Sequence, residues 1–253
     1  MTGWPSLVPA PEAAPASRML RAQTRAELTL LLRNGEQVLL TLVIPLGLLL
    51  VLASVDVVTV TGRRVDFFVP GVLALSVMST AFTGQAIGTG FERQYGVLKR
   101  LGATPLPRWV LLLAKTLGVL AVEALQVVLV GGLGLLLGWH PHGTVPGALL
   151  LIVLGTAAFS GLGLLLGGTL RGLTTLAAAN LLWFVLLVLG GIVFPLSSFG
   201  AASDWLRYLP SAALSDGLRA LLVHGTLVGR DLLTLAAWAV AALVAAARLF
   251  RWE

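Results

Sequence analysis

A chain of 253 residues with 57% hydrophobic and only 11% charged residues, at a mean hydropathy of +0.95, lies far from a soluble globular domain, where about a quarter of residues are charged. It reads as an all-α, polytopic membrane protein, so the formal net charge of +6 speaks of membrane topology and not of nucleic acid. The absence of cysteine excludes a disulfide framework and a thiolate metal site.

Residues 1–16 hold Pro5, Pro9, Pro11 and Pro15 without apolar periodicity and are expected to form a disordered tail. They are no signal peptide, because no basic region precedes a short apolar core with a cleavage site. One transmembrane domain is expected over 17–253. It opens on a helix capped by Ser17, with Arg18, Arg21, Arg25 and Arg33 beside Met19, Leu20, Leu28, Leu31 and Leu32. That basic, amphipathic pattern suits the headgroup region; a solvated helix flanking the first span is the plainer alternative.

Six apolar runs follow, at approximately 37–55, 67–90, 109–137, 147–170, 172–194 and 232–250, each compared with the ~20 residues that a spanning helix needs. Pro45 can kink the first, and Arg248 can snorkel to lengthen the sixth. Between the second and third lies Phe91–Arg108, reading FERQYGVLKRLGATPLPR, whose charges exclude it from hydrocarbon and make it a water-facing connection. Between the fifth and sixth, Trp205, Leu206 and Leu209, then Leu214, Leu218, Leu221 and Leu222, repeat at helical spacing. Two short re-entrant helices are expected there, the second capped by Ser215 or Asp216 and stopped by Gly225.

Of the seventeen basic residues, Arg18, Arg21, Arg25, Arg33, Arg93, Lys99, Arg100, Arg108, Lys115, Arg171, Arg248 and Arg251 fall on one side of the spans. Arg63, Arg64, Arg207, Arg219 and Arg230 fall on the other, balanced by Asp56, Asp66, Asp204, Asp216 and Asp231. The excess places both termini and Phe91–Arg108 in the cytoplasm. The preference for Arg over Lys, with abundant Ala, Leu, Gly and Val, points to a GC-rich bacterium and so to its cytoplasmic membrane. The pairs Gly84/Gly88, Gly134/Gly138 and Gly163/Gly167 allow close helix approach, either within the bundle or between chains.

No P-loop is present: Lys115–Thr116 is preceded by Ala114, and Trp109 stands where its first glycine belongs. The chain is therefore expected to bind no cofactor and to be no enzyme. Glu123 lies near the middle of the third run, with Gln126 on a similar face. A carboxyl at that depth is protonated, paired or facing a polar cavity, and serves either a transport cavity or a structural hydrogen bond. Gln85 and Asn180 are weaker cases of the same kind. His140 and His142 without a carboxylate or thiol cluster do not make a metal site.

Three stretches together resemble the membrane subunit of ABC-2 type exporters, closest to the daunorubicin/doxorubicin-resistance-like permeases. They are Asp66–Gly71 (DFFVPG), then Phe91–Thr116 with Glu92, Arg93, Gly96, Leu98, Gly102, Thr104, Pro105, Arg108 and Lys115, and a segment running from Phe194–Pro195 through Trp205, Pro210, Leu218 and Arg219 to Gly225. One departure is that Pro210 is followed by Ser211-Ala212-Ala213, where the family often has an aromatic residue. The resemblance implies a permease of a multidrug-resistance type, paired as a homodimer, with two ABC ATPase subunits below it carrying ATP and magnesium. It maps the ATPase-coupling helix onto Phe91–Arg108, with Glu92, Arg93, Gly96, Lys99, Arg100, Gly102, Pro105 and Arg108 as contact or hinge residues. It maps the interfacial helix onto Arg18–Arg33 and the outer re-entrant region onto Pro195, Trp205, Pro210 and Arg219. It also implies a path for an amphiphilic or hydrophobic drug, lipid or lipid-linked cargo, lined by spans one, two and five. Two other classes stay open on the residues alone: an ion-coupled secondary transporter using Glu123, and a non-transporting scaffold or immunity protein.

Overall fold

The computed structural model describes residues 13–55, 60 and 62–250, and among these every regular element is helical. Most of the expected tail, together with Asp56 and Arg251, lies outside the described residues. Helix α1 (Ala16–Arg33) is followed after Asn34 by α2 (Gly35–Ser54), which contains Pro45. Ser17 does not cap α1, because the helix begins one residue earlier, behind Pro15; proline already carries the helical φ and has no N–H to satisfy.

Among the described residues five helices are long and apolar enough to cross a membrane, and a further apolar stretch, Thr41–Ser54 within α2, is shorter. The central one is continuous from Arg64 to Gln94 and has three parts: α3 (Arg64–Val77), a π-helical segment (Met78–Gly84) and α4 (Gln85–Gln94). Its apolar stretch is 83% buried, which makes it the axis around which α2 and four later helices pack. Phe68, Val69, Val72, Leu73 and Met78 form the middle of the core with Leu151, Phe159, Leu214 and Leu218 from later helices. Its 31 residues rise about 1.5 Å each and so outrun a hydrocarbon core of about 30 Å. One end must stand clear of the apolar layer.

At that end the sequence reading places the water-facing connection Phe91–Arg108, onto which the resemblance maps a helix. There α4 continues to Gln94, and a short helix α5 (Val97–Gly102) precedes the Pro105/Pro107 turn. Helix α6 (Arg108–Leu136) then runs back, and α7 (Val145–Thr169) and α8 (Gly172–Leu189) follow. Helix α8 stops five residues before the expected end of the fifth run, because Gly190 and Gly191 turn the chain at Gly190–Phe194. A 3-10 turn (Leu196–Ala202), the short α9 (Ser203–Leu206), α10 (Pro210–His224) and α11 (Gly229–Leu249) complete the chain. Ser215 and Asp216 lie inside α10 and do not cap it, since Pro210 supplies the first turn. Gly225 ends it with φ 70°, a left-handed conformation that glycine adopts without penalty.

Of the three glycine pairs, Gly163 and Gly167 bring backbones together. A Cβ at Gly163 would lie 2.6 Å from the Phe82 carbonyl oxygen, and one at Gly167 would lie 2.5 Å from that of Ala86. These contacts set α7 directly against span two. Neither Gly88 nor Gly131 meets anything within 4 Å. Gly163→Ala and Gly167→Ala should each lower the thermal midpoint of the detergent-solubilised protein, at a cost of about 1–3 kcal/mol for overpacking. Gly131→Ala should be neutral or stabilising by up to ~1 kcal/mol through helix propensity. Equal midpoints for all three variants would remove the close approach of α7 and span two.

Candidate functional site

The charged stretch singled out in the sequence forms a small platform at one end of the bundle. Gly96, at φ 72°, ends α4 and starts α5 in a single residue, a turn that a side chain would strain. Leu98 is fully buried with Leu111, Leu112, Leu164, Ala246 and Phe250, so α5 is anchored on α6, α7 and the end of α11. Its other face shows Val97, Lys99 and Arg100 to the outside, and Gly102, Thr104, Pro105 and Arg108 extend that exposed surface. Phe91 and Tyr95 stack at 6.0 Å between ring centroids. Thr104 closes the turn by donating its hydroxyl to the Leu101 carbonyl at 2.6 Å.

Directly behind the platform is a buried ion triad. Lys115, the eighth residue of α6, is 6% exposed. Its Nζ lies 3.0 Å from Glu27 Oε2 and donates to Glu92 Oε1 at 2.8 Å, with Glu92 Oε2 at 2.7 Å. Gln23 donates to Glu27 Oε1 at 2.8 Å. One ammonium thus joins three elements: Glu27 comes from α1, Glu92 from the end of α4 and Lys115 from α6. Removal from water penalises these ions and their mutual attraction offsets that cost, so loss of the lysine strands two carboxylates, whereas loss of either carboxylate leaves a one-to-one pair. The sequence reading gives Glu92 and Arg93 to a partner; in the structure both are committed inside the chain. The Arg93 guanidinium donates to the carbonyls of Gly168 and Leu170 at 3.4 and 3.3 Å, closing the end of α7. Among the expected contact residues, Lys99, Arg100 and Arg108 face outward.

On α1, Arg18, Arg21, Arg25 and Arg33 are all exposed, while Gln23, Glu27, Leu28 and Leu31 turn toward α6. Glu27 escaped the sequence reading because it is a single acid on a basic helix. Lys115 enters the sequence reading as a basic residue of the cytoplasmic side and as part of the family pattern, with no partner named. A lysine inside an apolar run was the available signal, but nothing local names its partners.

The intramembrane polar residues are spread along the bundle and do not converge. Glu123 is 1% exposed and accepts a hydrogen bond from the Thr156 hydroxyl of α7. Gln126 accepts from Thr80 at 3.2 Å and donates to the Thr41 carbonyl at 3.0 Å, tying α6 to the π segment and α2. Gln85 donates to Ser160 at 3.1 Å. Asn180 is exposed on α8.

The opposite end carries the other predicted cluster. Arg219 of α10 donates to Asp216 at 2.7 Å and to the Gly191 carbonyl at 3.1 Å, and lies 3.9 Å from the Phe67 ring centroid. Burial pushes the Asp216 carboxyl above its ordinary range, against the pull of the Arg219 guanidinium. Burial likewise pulls Arg219 below its ordinary value, with Asp216 opposing. Pro195 precedes the 3-10 turn, Pro210 opens α10, and Trp205 is exposed. Among the described residues no group of three or more His, Asp or Glu side chains is placed to hold a metal ion.

Residues 59–248 match the family described as ABC-2 family transporter protein. The chain is also similar to YvfS of Bacillus subtilis (strain 168), whose name marks it as a candidate transport permease, at 25% identity over 234 residues covering 87% of this chain and 92% of the relative.

Lys115→Met should cost about 3–5 kcal/mol, because it leaves Glu27 and Glu92 buried without a counter-charge. The triple change Glu27→Gln, Lys115→Met, Glu92→Gln should recover most of that loss. Thermal unfolding in detergent measures both, and a triple variant no better than the single one would show that the charges are not what destabilises it.

Proposed function

Because this chain belongs to the ABC-2 family of transporters, as a multi-pass membrane permease of an ABC transporter, we propose that it is the membrane half of an exporter driven by separate ATPase subunits. In this reading α2 completes six spans, both termini and α5 face the cytoplasm of a bacterium, and two copies of the chain pair above two ATPases. ATP and magnesium belong to those partners, and this chain supplies movement and path. The cargo is amphiphilic or hydrophobic, a drug, lipid or lipid-linked molecule, moving outward along spans one, two and five.

The observation that carries the proposal is the mechanical continuity from α5 inward. An exposed basic platform, Lys99, Arg100 and Arg108, is anchored through Leu98 and backed by Lys115 with Glu27 and Glu92. A push on α5 by a closing ATPase would be borne at once by α1, α4 and α6, because the buried ammonium ties all three. Proline at 105 and 107 stiffens the return into α6. The movement would pass up span two through the π-helical segment, where the wider turn gives a register less tightly held than an α-helix. The Glu123–Thr156 bond supports a structural clamp between α6 and α7 more than an ion-coupling role, since that carboxyl is enclosed on all sides.

The test is a pull-down of the tagged protein from native membranes in mild detergent, with mass spectrometry of what accompanies it. A stoichiometric P-loop ATPase is expected with the natural sequence, and the charge reversal Arg100→Glu/Arg108→Glu should reduce its recovery at least several-fold while leaving the thermal midpoint unchanged. A clean permease, in conditions that preserve other complexes of the same membrane, would overturn the partnership.

A further inference from the structure

The segment between α8 and α10 lies deeper than its composition suits. Helix α10 runs beside α7 from the end of the bundle opposite α5 toward the middle. Leu221 packs on Gly147, the third residue of α7, and Leu214 on Gly155, the eleventh of 25. Pro210, where α10 begins, is about one turn, or ~6 Å, deeper still. Helix α11 gives the same level independently. Trp238, the tenth of its 21 residues, donates its indole N–H to the Tyr208 carbonyl at 2.9 Å. Ten residues separate Trp238 from Arg248, about 15 Å of helix, half of a hydrocarbon core of about 30 Å. The Tyr208 N–H donates to the Trp205 carbonyl at 3.1 Å and the Arg207 N–H to that of Ser203 at 3.2 Å, so α9 stands close to this level too.

At that depth α11 and α9 show opposite surfaces. On α11, Leu233 and Val240 bracket Trp238 and are 73% and 65% exposed, the surface of a helix in hydrocarbon. On α9 and its flanks Ser197, Ser198, Asp204, Trp205 and Tyr208 are exposed, and Asp204 is paired with Arg207 at 2.6 Å. The backbone before α9 is irregular, broken at Gly200 with φ 56°. An exposed indole and phenol beside hydroxyls and an ion pair make up the composition of a membrane–water interface. Hydrocarbon accommodates neither an exposed carboxylate nor irregular backbone. Two neighbouring elements at one depth thus require different solvents.

A bilayer meets both by deforming. Water and headgroups follow a polar surface inward, which costs less than a bare charge in hydrocarbon. A protein neighbour would have to match the carboxylate, the hydroxyls and both aromatic rims one by one, whereas water matches them in any geometry. We infer that the hydrated headgroup layer of the leaflet opposite α5 dips beside α9 to about half the depth of α11, with Trp205 and Tyr208 at headgroup level and Asp204 and Arg207 in water. For an amphiphile carried outward, as proposed above, the dip halves the apolar distance that its polar part must cross. The inference rests on the proposed orientation only for which leaflet is deformed.

The protein has no cysteine of its own, so single-cysteine variants report without background. Ala202→Cys and Asp204→Cys are compared with Leu233→Cys and Val240→Cys of α11, and with His140→Cys in the exposed connection before α7. Asp204→Cys removes the ion pair and Ala202→Cys keeps it. A membrane-impermeant sulfonated maleimide is added to sealed vesicles of each orientation. Ala202→Cys and Asp204→Cys should react at close to the His140→Cys rate, and at least about 50-fold faster than the α11 variants, since a charge at that depth costs ~2.5–3.5 kcal/mol. Slow labelling near α9, as slow as on α11 and relieved only by detergent, would overturn the dip. Fast labelling at all four positions would overturn it as well, because the whole level would then stand above the apolar layer. Should Ala202→Cys and His140→Cys both label fast from the cytoplasmic side, with the α11 variants slow, the dip stands and the proposed orientation falls.

Discussion

Helix ends are the weak points of a membrane protein, because their last carbonyls have no partner in their own helix and none in hydrocarbon. Here arginines from neighbouring elements close them. Arg64 donates to the carbonyls of Leu52 and Val55 at the end of α2, and Arg63 to that of Gly138 beyond α6 at 2.6 Å. Arg219 reaches Gly191 past α8, and Arg93 reaches Gly168 and Leu170 at the end of α7. Each bond puts a fixed positive charge at the negative end of a helix dipole, and those of Arg63 and Arg93 join elements about 75 residues apart in sequence. The arginines that balance topology therefore also hold the spans in register. Arg207 and Arg230 are likewise engaged, with Asp204 and Asp231, so all five arginines of the minority side are part of the architecture.

Depth in the membrane sorts the remaining charge. Where span two and α6 outrun the apolar layer, a lysine and two glutamates meet as ions, and the triad makes α1, α4 and α6 one mechanical unit. Near the middle of α6, Glu123 is met by a hydroxyl and not by a cation, in keeping with the greater cost of full charge at depth. Between the two lies the π-helical segment, with Ser79 and Thr80 bonded to Trp183 and Gln126. Span two is thus buried in the core at its α3 end, π-helical at its centre and tied to α1 and α6 at its α4 end.

The charged stretch 91–108 was legible because charges cannot lie in hydrocarbon, and its glycines and prolines marked the turns around α5. The direction of those charges was not legible. Glu92 and Arg93 are adjacent on one helix, so a small rotation decides whether they meet solvent or the bundle, and the packing of α4 on α7 turned both inward. Lys115 stood out as a lysine in an apolar run, but Glu27 lies 88 residues away and becomes its partner only when α1 folds along α6. Ser17, Ser215 and Asp216 looked like helix caps by residue type; prolines at 15 and 210 had already set those helix starts.

The sequence by itself determined the membrane class, the helical runs and most of their limits, the side on which basic residues concentrate, and the family. These follow from local quantities: hydropathy over about twenty residues, turn chemistry, and short motifs read in order. Only the tertiary structure decided which glycines bring backbones together, where span two widens into a π-helix, which carboxylates meet Lys115, and which face of α8 is left without a neighbour. Periodicity tells which face of a helix is apolar, but the identity of the neighbour depends on how the helices pack. Hydrogen bonds and ion pairs are contacts of a few ångströms, so their partners exist only once the bundle has closed.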